Sequence, residues 1–339
     1  MKRNHCTAIC ASLGMLILIF DTKTALSGAT EGIDLCLKTV IPSLLPFFFL
    51  SILVTGSISS SRIGFLAPVC KFLRLPLNAA PILAVGFLGG YPVGAQCIAD
   101  AVRQEHISRE NGRRMLAFSS NAGPAFLFGI GSRIFADINM CWALWIIHIL
   151  SALLVGILTP GEAEECKVCQ HAKSADLTNT LRQCIRTMSM VCGWVILFRV
   201  MLTFCQRWFL WLLPDWAQIL FCGLLELANG CCGLVRIESE QLRFLLFSVM
   251  LGFGGLCVTM QTLGVTQGMD TSRYLPGKIT QALLSGVMAT LFISREMAPL
   301  SFLLLAAICG GYSFLCRKGQ KMLAFCKPAL YNKEKLHTR

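Results

Sequence analysis

Glu226 stands between Leu224-Leu225 and Leu227-Ala228, with Asn229-Gly230 directly after it. A carboxylate in such a run is expensive in hydrocarbon and marks a functional position, where it hydrogen-bonds a substrate or holds a coupling Na⁺ or proton. The bland alternative is a carboxylate near enough to the interface to be solvated. Asn121 and Gln96 place amides in apolar segments, either for a substrate or as links between helices, where such bonds contribute roughly 0.6–2 kcal/mol. Backbone carries a second kind of chemistry. Gly86-Phe87-Leu88-Gly89-Gly90-Tyr91-Pro92-Val93-Gly94-Ala95-Gln96 cannot make a continuous helix, because Gly loses the most backbone entropy and Pro removes a donor. Ser119-Ser120-Asn121-Ala122-Gly123-Pro124 and Gly252-Phe253-Gly254-Gly255 interrupt two further apolar runs. At membrane depth broken backbone is buried in protein or lines a cavity, and its free N–H groups attract anions while its carbonyls attract cations. The candidate substrate-binding set is therefore Gly89, Gly90, Tyr91, Pro92, Gly94, Gln96, Asn121, Pro124, Glu226, Asn229, Gly254, Gly255 and Gln261. Tyr91 would stack on a flat aromatic solute or anchor at an interface, and Gly90-x-x-x-Gly94 also suits close helix packing.

Other polar residues read more blandly. Arg199 snorkels from an apolar run or pairs with Glu226, and Asp270 belongs to a solvated loop. Cys166-x-x-Cys169-x-His171 has metal-ligand types, but a structural zinc needs four ligands and only Cys184 is available as a fourth. It reads as a solvated loop, and no metal is expected. No zinc-protease helix, P-loop or nucleophile elbow occurs, so no enzyme is expected. The one ion anticipated besides substrate is a coupling Na⁺ or H⁺, with no cofactor.

The elements that must position these residues are membrane helices. The 339 residues are 55% apolar and 14% charged, with a mean hydropathy of +0.65. Soluble domains carry roughly a quarter charged residues. Several apolar runs reach 18 residues, which defines an all-α polytopic membrane protein in a lipid bilayer. The formal charge of +12 is concentrated in residues 317–339, where seven Lys/Arg meet one Glu. Such a tail is a cytoplasmic signal or binds anionic lipid. Nothing in it resembles a nucleic-acid module. Most of the eighteen cysteines sit singly in apolar runs and act as small hydrophobes. Composition is compatible with a homo-oligomer.

In order, residues 1–30 form a first transmembrane helix, a signal peptide ending at Ala25-Leu26-Ser27 being the alternative. Residues 31–159 and 188–316 form two repeats, joined by a polar linker at 160–187 and followed by a basic tail at 317–339. Each repeat gives a span, an aromatic or basic interfacial piece, a Gly-rich short segment, a polar link, a Gly-interrupted helix and a span. At an offset of 131, Ser108 falls on Ser239 and Asn121 to Pro124 fall on Gly252 to Gly255. With the N-terminus, 103–114, the linker and the tail on the cytoplasmic side, about eight transmembrane helices and two re-entrant hairpins result. One hairpin enters from each side, an inverted repeat.

Four stretches carry a family resemblance: Ile41-Pro42-Ser43-Leu44-Leu45-Pro46-Phe47-Phe48, Gly89 to Gln96, Leu225 to Gly230, and Gly252 to Gln261. In this order they resemble the YlbJ-like sporulation integral membrane proteins of the nucleoside-recognition Gate domain superfamily. The resemblance implies a fold similar to concentrative nucleoside transporters and a place in the membranes of a sporulating bacterium, including the outer forespore membrane. It further implies transport of dipicolinic acid or a nucleoside-like solute. The alternatives are a sporulation scaffold that moves nothing and a ligand sensor. The sequence departs from the family at Gln96, where Lys is usual, and at Thr259, where His is usual. The first departure removes a fixed cation beside the first hairpin.

Overall fold

The structure is a computed structural model that describes residues 2–58, 66–163, 176–294 and 296–336. Among these residues it is helical throughout, with no strand. Helix α1 (Lys2–Phe20) leads into α2 (Thr22–Leu35), a π-helical turn at Cys36–Val40 and α3 (Ile41–Ile58), and a short α4 (Ala67–Phe72) follows. Then come α5 (Ala80–Leu88), α6 (Val93–Arg103), α7 (Arg109–Leu116), α8 (Pro124–Ile134) and α9 (Ile138–Leu158). The second part has α10 (Leu177–Trp208), α11 (Asp215–Leu225), α12 (Leu227–Gly233), α13 (Glu240–Phe253), α14 (Gly255–Val265), α15 (Tyr274–Ile293) and α16 (Ala298–Leu336). The Cys166, Cys169 and His171 cluster lies outside the described residues.

Two short helices around a tip, α5/α6 and later α11/α12, are each followed by a polar link and a broken helix, α7/α8 and α13/α14. The paired Ser108 and Ser239 do the same job: each N-caps the first half of a broken helix, accepting from Asn111 N at 3.1 Å and from Leu242 N at 3.3 Å. Four helices are long and apolar enough to cross a membrane: Ile138–Leu158, Leu177–Trp208, Glu240–Val265 and Ala298–Lys318. A fifth arises if the bent pair Thr22–Val40 and Leu44–Leu50 counts as one span. The eight spans drawn from the sequence are thus four or five by length and apolarity. Two differences have a plain cause. The α7/α8 segment is broken for seven residues, from Ala117 to Gly123, so neither half spans alone. Helix α15 has 20 residues, but Lys278, Gln281 and Ser285 follow one another down a single buried face and lower its apolarity.

Two ends of the molecule are tied by arginines. At one, Arg114 donates to the carbonyls of Leu73 and Arg74, both at 2.9 Å, and Arg273 donates to Pro160 O at 2.9 Å. Arg103 there reaches Val265 O at 3.0 Å, and Arg113 pairs with Asp270 at 3.0 Å. At the other end Arg243 donates to Ile134 O at 3.0 Å. Helix α9 runs between Ile138, beside the second end, and Leu158, beside the first; at 1.5 Å per residue its 21 residues cover about 30 Å. Helix α2 lies along α10, with Gly28 against Val200 and Thr203 and Gly32 against Ile196. In that contact Arg199 pairs with the half-exposed Glu31, and not with Glu226. Asp270 is half-exposed in its loop, as expected.

Candidate functional site

Each hairpin tip rests on the break of the broken helix that follows it. In the first, α5 ends at Gly89, whose N–H donates to Val85 O at 2.7 Å. Gly90 takes φ +80, a region closed to most side chains, and a cis Tyr91–Pro92 peptide reverses the chain into α6. A Cβ on Gly90 would lie 3.2 Å from Gly123 N, so tip and break touch through backbone. Gly94 packs the two arms together, against Gly86 and the Ser119–Ser120 backbone, and Pro124 opens α8 at its first position. The second tip is Glu226 itself. It leaves α11 in extended conformation and caps α12, and Gly223 and Gly230 bring the arms of α11 and α12 into backbone contact. Gly254 (φ +83) and Gly255 (φ +87) form its partner break, with Gly255 against Gly223 O and Leu227 N.

The buried Glu226 carboxylate accepts three hydrogen bonds: from Ala228 N at 3.1 Å, from Asn229 N at 2.7 Å and from Asn229 Nδ2 at 2.6 Å. Glu226 has no ion-pair partner among the described residues. It fronts a cavity of about 60 Å³ walled by both hairpins, with Tyr91, Gly123, Phe126 and Gln261, and by Val40 of the π-helical turn and Val191 of α10. Gln261 keeps its amide turned to Cys257 Sγ at 3.3 Å. Of the sequence-derived set, Tyr91, Glu226 and Gln261 reach the cavity, with Asn229 behind Glu226 and the glycines shaping the two breaks. Gln96 points elsewhere: its Oε1 accepts from Thr187 Oγ1 of α10 at 3.0 Å, the helix-linking role.

Asn121 belongs to a second polar cluster behind Tyr91. Its Nδ2 donates to Phe118 O at 2.7 Å, and its Oδ1 accepts from Lys278 Nζ at 3.1 Å and from Gln281 Nε2 at 2.9 Å. Lys278 Nζ also reaches Gln281 Oε1 at 2.8 Å and Tyr91 Oη at 3.3 Å, and lies 5.1 Å from the Tyr91 ring centre. Behind Gln281 lie His148 Nδ1, at 3.5 Å, and the Ser151–Ser285 hydroxyl pair, at 2.8 Å. The hydroxyls of Ser119 and Ser120 and Nε2 of His148 are buried there without a hydrogen-bond partner. Lys278, Gln281 and His148 are absent from the sequence-derived set. The signal was present in the spacing of Lys278, Gln281 and Ser285, which puts three polar side chains on one face of an otherwise apolar helix.

Fold and site together define an all-helical integral membrane protein with a polar, glycine-broken core. The chain is similar to the sporulation integral membrane protein YlbJ of Bacillus subtilis (strain 168), with 26% identity over 331 residues, 84% of this chain and 80% of that protein. No family model and no solved structure matches the chain.

Proposed function

We propose that this protein is a multi-pass transporter of a small polar solute, acting in the membranes of a sporulating cell. Its two halves are Gate-type repeats of opposite orientation, residues 31–159 and 188–316. The carrying observation is the pairing of two hairpin tips with two helix breaks around one cavity, with the Glu226 carboxylate facing it. Broken helices meeting around a polar site are the architecture of secondary transporters. The placement of 103–114 and 236–243 at opposite ends of α9 supports the inverted orientation.

A cavity of about 60 Å³ holds a few waters at most. Pockets for drug-sized ligands occupy roughly 300–1,000 Å³. Translocation therefore requires the hairpins to part, by a rocking or elevator-like displacement of tip from break. Glu226 then hydrogen-bonds the solute or holds a coupling cation. By the family resemblance alone, the solute class is dipicolinate or a nucleoside; the relative's name adds only a sporulation membrane.

The test is uptake of labelled dipicolinate and uridine into proteoliposomes, with Na⁺ or pH gradients, for wild type and Glu226→Gln. Saturable flux that the substitution abolishes supports the assignment. Correctly inserted protein that moves neither solute returns the case to a scaffold. Solute-induced thermal stabilisation without flux indicates a sensor.

A further inference from the structure

Among the described residues, the buried basic side chains are Arg113, Arg114, Arg273 and Lys278. The three arginines lie at one end, where they bond acids or backbone carbonyls. Lys278 sits in the core with no exposed surface, and its partners are all neutral: Tyr91 Oη, Asn121 Oδ1 and Gln281 Oε1. Among the described residues no carboxylate is paired with it. An ammonium so placed is costly in a membrane interior, and an intramembrane ionisable group marks a substrate or ion pathway. The adjoining helix break adds a second observation. The hydroxyls of Ser119 and Ser120, next to Asn121, are buried without a partner, whereas buried polar groups are ordinarily bonded. A basic nitrogen without a counter-ion and two unused donors form a site short of acceptors.

Tyr91 separates this cluster from the cavity. Its side belongs to the cavity wall, while its hydroxyl meets Lys278 Nζ at 3.3 Å and donates to Leu251 O, also at 3.3 Å. Tyr91 is carried by the first hairpin tip, whereas Lys278 and Gln281 are carried by α15. The displacement of tip from break that transport requires therefore takes the phenol away and opens Nζ to the widened cavity. Burial without a counter-ion disfavours the ammonium in the closed, empty site, so opening takes up a proton. The nitrogen lone pair forms an N–H bond with a proton from the entering water, since a hydrated lysine is charged near neutrality. A carboxylate then makes a charge-assisted hydrogen bond to the ammonium and supplies the missing counter-ion. Closing around that pair avoids the isolated buried charge. When the carboxylate leaves, the proton returns to water and the amine is restored.

We infer that Lys278 receives one carboxylate of the solute when the first hairpin tip moves away from it. This rests on the transport function proposed above and narrows the solute to a carboxylate, in place of a neutral nucleoside. Glu226, on the other hairpin, is held by its own three donors and adds no positive charge. One ammonium balances one carboxylate. A phosphate monoester carries about −1.5 to −2 charges near neutrality and would bring in negative charge that Lys278 cannot balance.

The test compares ligands of one shape and different charge. Melting of the detergent-solubilised full chain is followed against rising picolinate, its neutral amide picolinamide, and uridine 5′-monophosphate, since a ligand that binds the folded state raises the melting temperature. Picolinate should give a saturable rise, and the amide and the nucleotide none. This comparison uses wild type alone. In Lys278→Met, Asn121 Oδ1 keeps its bond from Gln281 Nε2 and Tyr91 Oη keeps Leu251 O. That variant should need at least about ten times more picolinate for the same rise, the loss of one hydrogen bond between charged groups. No rise with picolinate, an equal rise with its amide, a larger rise with the nucleotide, or unchanged affinity in Lys278→Met each overturns the inference. Uptake into proteoliposomes separates it from the function on which it rests. A Lys278-dependent rise in protein that moves neither picolinate, dipicolinate nor uridine leaves the carboxylate site standing and removes transport. Uridine flux that picolinate does not inhibit leaves transport standing and removes the carboxylate site.

Discussion

Three donors converge on one carboxylate at the second hairpin tip, and Asn229 supplies two of them, its backbone N–H and its side-chain Nδ2. Glu226→Gln keeps the shape but leaves one acceptor oxygen and turns an NH₂ group towards those donors. A stability loss of about 1–3 kcal/mol is expected, the range for an unsatisfied buried hydrogen-bonding group. Asn229→Asp should be worse than Asn229→Ala, because it sets a second carboxylate against the first. Melting of the detergent-solubilised variants decides the matter: Asn229→Asp as stable as wild type would mean that Glu226 is not held as described. At the end formed by 103–114, Asp270 gives a pH prediction. Partial burial raises its carboxyl, but hydrogen bonds from Ser272 and the Arg113 guanidinium outweigh this and hold it below the usual carboxylate range. Its contribution is therefore present above the unfolded-state value and lost as pH falls through the folded one. Asp270→Asn should lower the melting temperature near neutrality and flatten its decline below about pH 4; an unchanged acid slope would contradict the pairing. Glu226 was legible in the sequence because a lone acid in a leucine run has few bland explanations, and its burial argues against the solvated one. Lys278 was not, because a lysine beside Gly277 at the start of an apolar stretch looks like an interfacial anchor, and only the packing of Tyr91 and Asn121 over it shows otherwise.

At the scale of elements, the helix breaks were readable and the helix count was not. Gly and Pro announce a break wherever they fall, whereas the apolar run at Met115–Phe135 has the composition of a span and is two short helices separated by seven residues. The two breaks differ in kind. The first is non-helical chain from Ser120 to Gly123, extended at Gly123 and closed by Pro124. The second is a sharp left-handed turn at Gly254–Gly255. A Cβ on Gly254 would lie 2.9 Å from Tyr91 Oη and 3.0 Å from its ring carbon Cζ, besides the strain of positive φ. Gly254→Ala should destabilise by at least about 1–2 kcal/mol, the penalty for left-handed backbone with a side chain. It should also push Tyr91 off Leu251, read as faster hydrogen exchange at the 89–94 tip. Gly129 is the internal control. It lies inside α8 with no atom within 4 Å of an added Cβ, and Gly129→Ala should gain up to about 1 kcal/mol from helix propensity. Equal effects at the two glycines would show that the second break is not under this constraint.

For the whole molecule, the argument turns on which links share an end. The end that gathers 73–75, 103–114, 160–162 and 266–273 holds Arg74, Arg103, Arg109, Arg113, Arg114 and Arg273. Helix α16 joins it through the hydroxyls of Tyr312 and Thr159, 2.9 Å apart, with Tyr312 five residues before the basic pair Arg317-Lys318. The opposite end gathers 134–137 and 236–243 with Arg133, Arg236 and Arg243. Helix α10 connects them: Gln183 reaches Asp100 at 3.3 Å near the first end, and Arg207 pairs with Asp21 at 3.0 Å near the other. By the positive-inside rule, the arginine excess predicts that the first end is the cytoplasmic one. Single cysteines at the exposed Glu105 and Glu238, placed in a variant whose accessible native cysteines are replaced by serine, should then respond oppositely to an impermeant maleimide. Position 238 should label in intact cells and position 105 only after permeabilisation. Labelling of both from one side would place the two hairpins in the same orientation and remove the inverted repeat. The cavity between the tips would then open to a single face, and alternating access through it would be ruled out.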